Sequence, residues 1–284
     1  MLIKKGRILG VIINLLILAA LAIVGFIAWN KLVGKPFAVL ILGLEHTRTD
    51  TMMVAIIDPK HSRLDIVSLP RDTYYPVEGY DGLGQKKLNA VYGFESEGGP
   101  ERVMRAAEDL LGIEVPSYIA VDYDGVEAIV DRMGGIEIEV PFPMYYVDPY
   151  ADPPLTIDLQ PGLQRLNGQQ ALGYLRFRQS SDGSYSDGDL GRIGRQQAFV
   201  TQAIRQAIGV NLPSYLSEGL QYVKSNIDLT KAGSIGSAFI GFDMSNLRIH
   251  TLPQASIGPG EDGLHYFFHD PDATEALMNK IRSR

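Results

Sequence analysis

The sequence predicts a three-layer α/β domain held behind a single membrane-spanning helix. Three observations carry this prediction. Residues 8–29 are apolar for 22 positions with Asn14 the only strongly polar side chain. Two early runs, FAVLILGL (37–44) and TMMVAIID (51–58), are continuously apolar, as strands covered on both faces are. Behind them, strand and helix patterns alternate to the C-terminus.

The N-terminal run comes first in the chain. About 20 apolar residues cross a bilayer as a helix, and Trp29 stands where an interfacial aromatic belongs. A cleaved signal peptide usually has an apolar region of about 7–15 residues and a small-residue cleavage site. This run is longer, and IAWNKLVGK offers no such site, so a retained anchor is expected. Lys4, Lys5 and Arg7 precede the run and Lys31 and Lys35 follow it. With the terminal amine, the bias places residues 1–7 in the cytoplasm. A linker, 30–36, then leads to an extracellular domain, 37–284. Five of the 26 basic residues fall in 1–35, where there is no acid, so residues 36–284 carry 21 basic against 33 acidic residues, a net −12. Such a body is a poor partner for nucleic acid, whose non-specific binding depends on neutralising phosphates. Cysteine is absent, which removes disulfide and thiol chemistry.

Within the domain, RLDIVSLP (63–70) reads as a third strand stopped by Pro70, and 85–95 as a short helix. Pro100 opens a helix with Val103, Met104, Ala107, Leu110 and Leu111 on one face, and Gly112 ends it. A strand is expected at 117–122, a helix at 123–133 ended by Gly134 and Gly135, and an alternating strand at 136–140. The run PFPMYYVDPYADPP (141–154) reads as irregular because of its prolines. Helices are expected at 167–177, 189–209, from Pro213, and at 272–283, with a late strand at 247–253. Strand order is not legible.

The candidate chemistry lies in four places. Arg192 and Arg195, three apart near a helix start, project from one side with Gln196. Basic groups at a helix N-terminus do not help the helix, so an external anion is the better reason for them. Arg176 and Arg178 alternate nearby, and a guanidinium fork suits phosphate oxygens. A solvated surface network with Asp182, Asp187 and Asp189 accounts for the arginines equally well on number alone. Second, Glu45 and Asp50 end a loop between two strands that would pair as a hairpin. Two carboxylates there can share Mg²⁺, which takes one or two carboxylates and leaves its other positions to water and phosphate; the plainer account is a capped turn and a solvated acid. Third, Arg71 and Asp72 follow a strand's carboxyl end, where α/β folds build sites, or form a simple salt bridge. Fourth, QKKLNAVYG offers Lys86, Lys87 and Asn89. HYFFH (265–269) has the i, i+4 histidine spacing of helical zinc sites but lacks the glutamate of HExxH, and its aromatics point to packing. No GxSxG, Walker A or GxGxxG sequence occurs, so serine acyl transfer and nucleotide hydrolysis have no support.

RTDTMMVAIID, SLPRDTYY, KLNAVYG, LLGIEVPSYIAVDYDGVEAIVDRMGGIEIEVP and QALGYLRFRQ…GRIGRQQ occur in this order. Across residues 37–207 the chain closely resembles the LytR–CpsA–Psr family. That resemblance implies an α/β/α domain with a mixed central sheet and an apolar pocket for a lipid chain. It implies a membrane-anchored phosphotransferase that moves an anionic glycopolymer, of the teichoic acid kind, from a polyprenyl-pyrophosphate carrier to peptidoglycan through a phosphodiester link. By motif, Arg71, Arg176, Arg178, Arg192, Arg195, Gln196 and Gln197 contact the pyrophosphate, with Lys87 and Asn89 beside them; Arg71, Arg192 and Arg195 are the catalytic set. Mg²⁺ falls to Glu45 and Asp50. The family usually has an aspartate where this chain has Glu45, and its connecting loop is usually longer. Asp72 is the candidate general base. Two other readings use the same residues: a polyprenyl-pyrophosphate hydrolase, and a noncatalytic module binding lipid carriers or wall polymers. The oligomeric state is left open.

Overall fold

The nine-residue strand β1 (Phe37–Glu45) and the eleven-residue strand β2 (Arg48–Asp58) pair as the antiparallel hairpin that their apolar runs predict. β3 (Arg63–Ser68) returns beside β2, and β4 (Ser117–Val121) lies parallel to β1. β9 (Lys224–Ser225) and β10 (Leu247–Thr251) form the edges, giving one mixed sheet in the order β10-β3-β2-β1-β4-β9. The chain is seen in a computed structural model that describes residues 34–150, 154–186, 188–208, 222–228 and 242–284. The apolar run 8–29 and the helix expected from Pro213 lie outside the described residues, among which no helix is long and apolar enough to cross a membrane.

Alternate residues of the apolar strands serve opposite faces. Leu40, Leu42, Leu44, Met52 and Val54 pack with α1 (Pro100–Leu111) and α5 (Pro271–Arg282) through Val103, Ala107, Met278 and Ile281. Val39, Met53, Ala55, Ile57 and Ile66 form the other core, against which Val200 and Ile204 of α4 (Gly188–Ile208) pack. A fully buried leucine such as Leu40 contributes about 1.5–3 kcal/mol. The ends follow local rules. Pro100 sits in the first turn of α1 and Gly112 closes it at φ 62°; Asp270 caps α5 by accepting from the Ala273 N–H. The segment expected as a helix at 85–95 is only a 3-10 turn, Leu88–Gly93.

A second unit hangs from the carboxyl end of β4. It comprises α2 (Tyr123–Arg132), α3 (Gly168–Arg176) and two ribbons: β5 (Ile136–Val140) with β8 (Gly162–Leu166), and β6 (Met144–Asp148) with β7 (Leu155–Leu159). Ile136, Ile138, Met144, Ile157, Tyr174 and Phe177 form its core. Here one expectation is corrected. Residues 144–148 are a strand, because Pro143 and Pro149 flank the ladder without interrupting it and Met144 to Asp148 pair with Leu159 to Leu155. HYFFH is β12 (His265–His269), paired with β11 (Gln254–Pro259), and Tyr266 and Phe267 are buried. Along a strand its two histidines stand about 13 Å apart, beyond the reach of one ion.

Candidate functional site

The site begins with an irregularity in the β1–β2 hairpin. Gly43 pairs with Thr51, but Leu44 pairs with Thr49, so Asp50 is the extra residue of a β-bulge. The strands run further than the sequence predicts, Glu45 pairing with Arg48, and the turn is His46–Thr47 alone, with His46 at φ 53°. In strict alternation Asp50 would share the face of Met52 and Val54; a bulge re-aims the side chain it carries, and Asp50 meets Glu45. The two carboxyls share a hydrogen bond. Burial, then the contact with Asp50, raises the Glu45 pKa, against a lowering pull from Tyr123 and Arg176. For Asp50 burial also acts to raise the pKa, but Glu45, Arg192 and Arg71 together hold it below the ordinary aspartate value. Of the pair, Glu45 is therefore the more readily protonated and Asp50 the more readily ionised.

Arginines from three elements surround this pair. Arg71, just past β3, donates from Nη1 to Asp50 Oδ1 at 2.8 Å. Arg192 of α4, its side chain 3% exposed, brings Nη1 to 3.7 Å from Asp50 Oδ2. Arg176, at the end of α3, stands 3.5 Å from Glu45 Oε1 and lies over the ring of Tyr123, 4.4 Å from its centroid. The Tyr123 hydroxyl is buried, and burial followed by Glu45 raises its pKa. Arg178 is exposed and faces the same pocket, a cavity of about 350 Å³ lined also by Glu45, Asp50, Arg71, Arg176 and Arg192. It opens at the carboxyl ends of the parallel strands β1, β3 and β4, where ligands of α/β sheets bind.

The β6–β7 ribbon supplies the remaining wall: Tyr146, Asp148 and Leu155 line the pocket, with Ser186 and Gly188 at the start of α4. Sequence reasoning missed these and Tyr123. For the ribbon the usable signal was the alternation of Met144, Tyr146 and Asp148 between two prolines. For Tyr123 it was Asp122, a helix cap whose side chain accepts from the Gly125 N–H.

Other expected site residues have different neighbours. Arg195, 4% exposed, donates to the Tyr174 carbonyl at 3.3 Å and to the Phe177 carbonyl, at the end of α3. Its guanidinium lies over Phe142 and Phe177. Gln197 donates to Ser68 Oγ at 2.9 Å and Thr251 Oγ1 at 3.0 Å, tying α4 to β3 and β10. Gln196 is buried beside a small apolar cavity of about 50 Å³ behind the carboxylates. Lys87 Nζ bonds Asp72 Oδ1 at 2.9 Å, and Asn89 accepts from Arg48 at 3.2 Å; none of Lys87, Asp72 and Asn89 lines the pocket. Lys86 pairs with Asp81 at 3.4 Å. Of the acids in the surface-network account, Asp182 accepts from the Ser184 N–H, while Arg71, Arg176 and Arg192 contact Glu45 and Asp50. Asp187 and the Asp189 side chain lie outside the described residues.

Among the described residues no three or more His, Cys, Asp or Glu are gathered as for a metal. A candidate metal site thus rests on Glu45 and Asp50. Their donor chemistry fits Mg²⁺, a hard cation that takes one or two carboxylates.

Comparisons with known proteins agree on kinship. By sequence the chain is 30% identical over 260 residues to the polyisoprenyl-teichoic acid–peptidoglycan teichoic acid transferase TagV of Bacillus subtilis, covering 87% of this chain and 63% of that protein. This chain thus spans somewhat under two thirds of that relative's length. It is 28% identical over 258 residues to the transferase TagU of the same organism, covering 87% of this chain and 77% of TagU. The crystal structure of B. subtilis TagV resembles it with a TM-score of 0.72 at 26% identity, over 88% of this chain and 97% of that one. Matched by the family model from residue 27 to residue 283, and sharing its fold with a solved relative, this chain belongs to the LytR–CpsA–Psr family.

Proposed function

We propose that the chain is a membrane-anchored, Mg²⁺-dependent phosphotransferase that moves an anionic glycopolymer from a polyprenyl-pyrophosphate carrier to peptidoglycan outside the cell. One observation carries this reading: Arg71, Arg176, Arg178 and Arg192 line one pocket together with the carboxyl pair Glu45 and Asp50. The names of TagV and TagU, teichoic acid transferases to peptidoglycan, support the donor and acceptor classes. The apolar run 8–29 supports the anchor.

In this mechanism the arginines change partners. A pyrophosphate entering the pocket competes with Asp50 and Glu45 for the guanidinium groups, and bidentate binding to phosphate oxygens is strong. Mg²⁺ on Glu45 and Asp50 would supply further charge neutralisation at the phosphates. The acceptor hydroxyl oxygen attacks the polymer-side phosphorus, and the bond to the bridging oxygen breaks, releasing polyprenyl phosphate. Arg71, Arg176 and Arg192 are already gathered at the pocket by their carboxylate contacts, so a local exchange of partners brings them to the developing charge. Asp72 is held by Lys87 outside the lining, whereas Asp148 is on it. The proton of the acceptor hydroxyl therefore passes to Asp148.

The test uses the full chain with a polyprenyl-pyrophosphate-linked saccharide, Mg²⁺ and peptidoglycan fragments, beside Arg192→Ala and Asp50→Ala. Acceptor-dependent attachment of the saccharide, lost in both variants, is expected. Polyprenyl phosphate released equally without acceptor would identify a hydrolase instead. Binding without either product would leave a noncatalytic module.

A further inference from the structure

The end of the sheet opposite the pocket has its own chemistry. Eight strand steps separate Phe37 from Glu45, so this end lies about 26 Å from the carboxyl pair. Here the chain enters the domain from its apolar run, through Lys35 and Pro36. An open groove of about 370 Å³ runs along this end, walled by Pro36, Phe37 and Ile113 and floored by Met278 and Ile281. Arg282 lines it, and further basic side chains belong to the same end of the domain. Lys60 and His61 stand exposed on the turn between β2 and β3, and Lys280 and Arg282 on the last turn of α5. Arg282 donates to the Gly112 carbonyl at 2.7 Å, fixing the α5 end against the α1 end.

Among the described residues, charge at this end is opposite in sign to that of the body. Asp58 is engaged by Arg63 at 2.6 Å and His61 at 2.7 Å, and buried Asp65 by Arg284 at 3.2 Å and His250 at 2.9 Å. Among the described residues, Glu114, Asp228 and Asp243 are the exposed acids nearby, against Lys35, Lys60, Arg248, Lys280 and Arg282. This local excess of base belongs to a domain whose residues 36–284 carry −12. A membrane's surface potential decays within about 8–10 Å, so a docked domain responds to its near face and not to its sum.

We infer that this basic, apolar-grooved end is a docking face for an anionic phospholipid surface. The inference rests on the anchored reading above. Headgroup phosphates meet Lys35, Lys60, Lys280 and Arg282, and the groove takes apolar parts of the interface. The tether alone would leave the domain free to tumble over the bilayer. The basic end sets its orientation, holding the pocket on the far side, toward the wall.

The absence of cysteine allows single labelling sites in the full chain. Ser62→Cys and Ser283→Cys place a fluorophore on the docking end, and Glu95→Cys places one near the hairpin turn at the other. Each labelled chain is put into nanodiscs of dioleoylphosphatidylglycerol or dioleoylphosphatidylcholine containing a nitroxide-headgroup lipid. Quenching at 62 and 283 in the anionic discs, weaker in the zwitterionic discs and in high salt, is expected, with position 95 unquenched in both. Lys60→Gln and Lys280→Gln should each lower the docked-to-undocked ratio about fivefold. Equal quenching in the two lipids, no quenching at 62 and 283, no response to the lysine substitutions, or quenching at 95 would each overturn the docking face. A chain that does not co-elute with discs at all would overturn the anchor and the docking face with it. The transferase assay is a separate readout, so failure of catalysis is distinguishable from failure of docking.

Discussion

Arg192 and Arg195 stand three residues apart on one helix, both at most 4% exposed, yet they do different work. Arg192 turns to a carboxylate side chain, Asp50, at the wall of a water-accessible pocket. Arg195 turns to the backbone carbonyls of Tyr174 and Phe177 and lies against two aromatic rings. A carboxylate can surrender an arginine to a phosphate, because charge is exchanged for charge. A helix-end carbonyl in a packed core has no substitute donor at hand. On the proposed function the first arginine is the one that can exchange its partner for ligand, whereas the contacts of the second join α4 to α3.

That distinction can be broken by mutation, and the largest effect belongs to the pocket. Arg192→Ala should lower acceptor-dependent transfer by about 10²–10³-fold. Its urea midpoint should move little, because Arg71 still holds Asp50. Arg195→Ala should do the reverse: about 3 kcal/mol lost in urea denaturation, with the turnover of the folded fraction near that of the parent chain. Equal stability losses in the two variants would erase the contrast. Glu45→Gln keeps the shape of the pair and removes a group that could ionise against a bound cation, so isothermal titration should show Mg²⁺ affinity weakened on the order of tenfold. Gln197→Ala sharpens the structural side. Its contacts with Ser68 and Thr251 are neutral hydrogen bonds, so about 1 kcal/mol should be lost in denaturation and transfer kept.

The same contrast explains what the sequence made legible. β1, β2 and β3 were readable because both faces of each strand are buried, and burial on both sides leaves an unbroken apolar run in the sequence. The convergence of Arg71, Arg176 and Arg192 near Glu45 and Asp50 was implied by the family resemblance, since helix and strand ends alone left each arginine open to a surface salt bridge. Arg195 was grouped with Arg192 because an i, i+3 spacing places both on one side of the helix. Which neighbour each meets depends on α3, whose carbonyls leave no trace in side-chain pattern. The β6–β7 ribbon was hidden by its prolines, which look like breaks until the ladder they flank is known, and Asp148 and Tyr146 were hidden with it.

The bulge at Asp50 separates two properties that are usually entangled. From Phe37 to Gly43 the hairpin ladder runs in regular register with Ile57 to Thr51, and it resumes at Leu44 with Thr49. Asp50 pairs with nothing in that ladder, so a chain lacking this one residue would close the same hairpin without a gap. The carboxylate is in effect an insertion that the sheet does not need. Selection can therefore add, remove or re-aim this carboxylate by a single-codon change in length while the folding information of both strands stays intact.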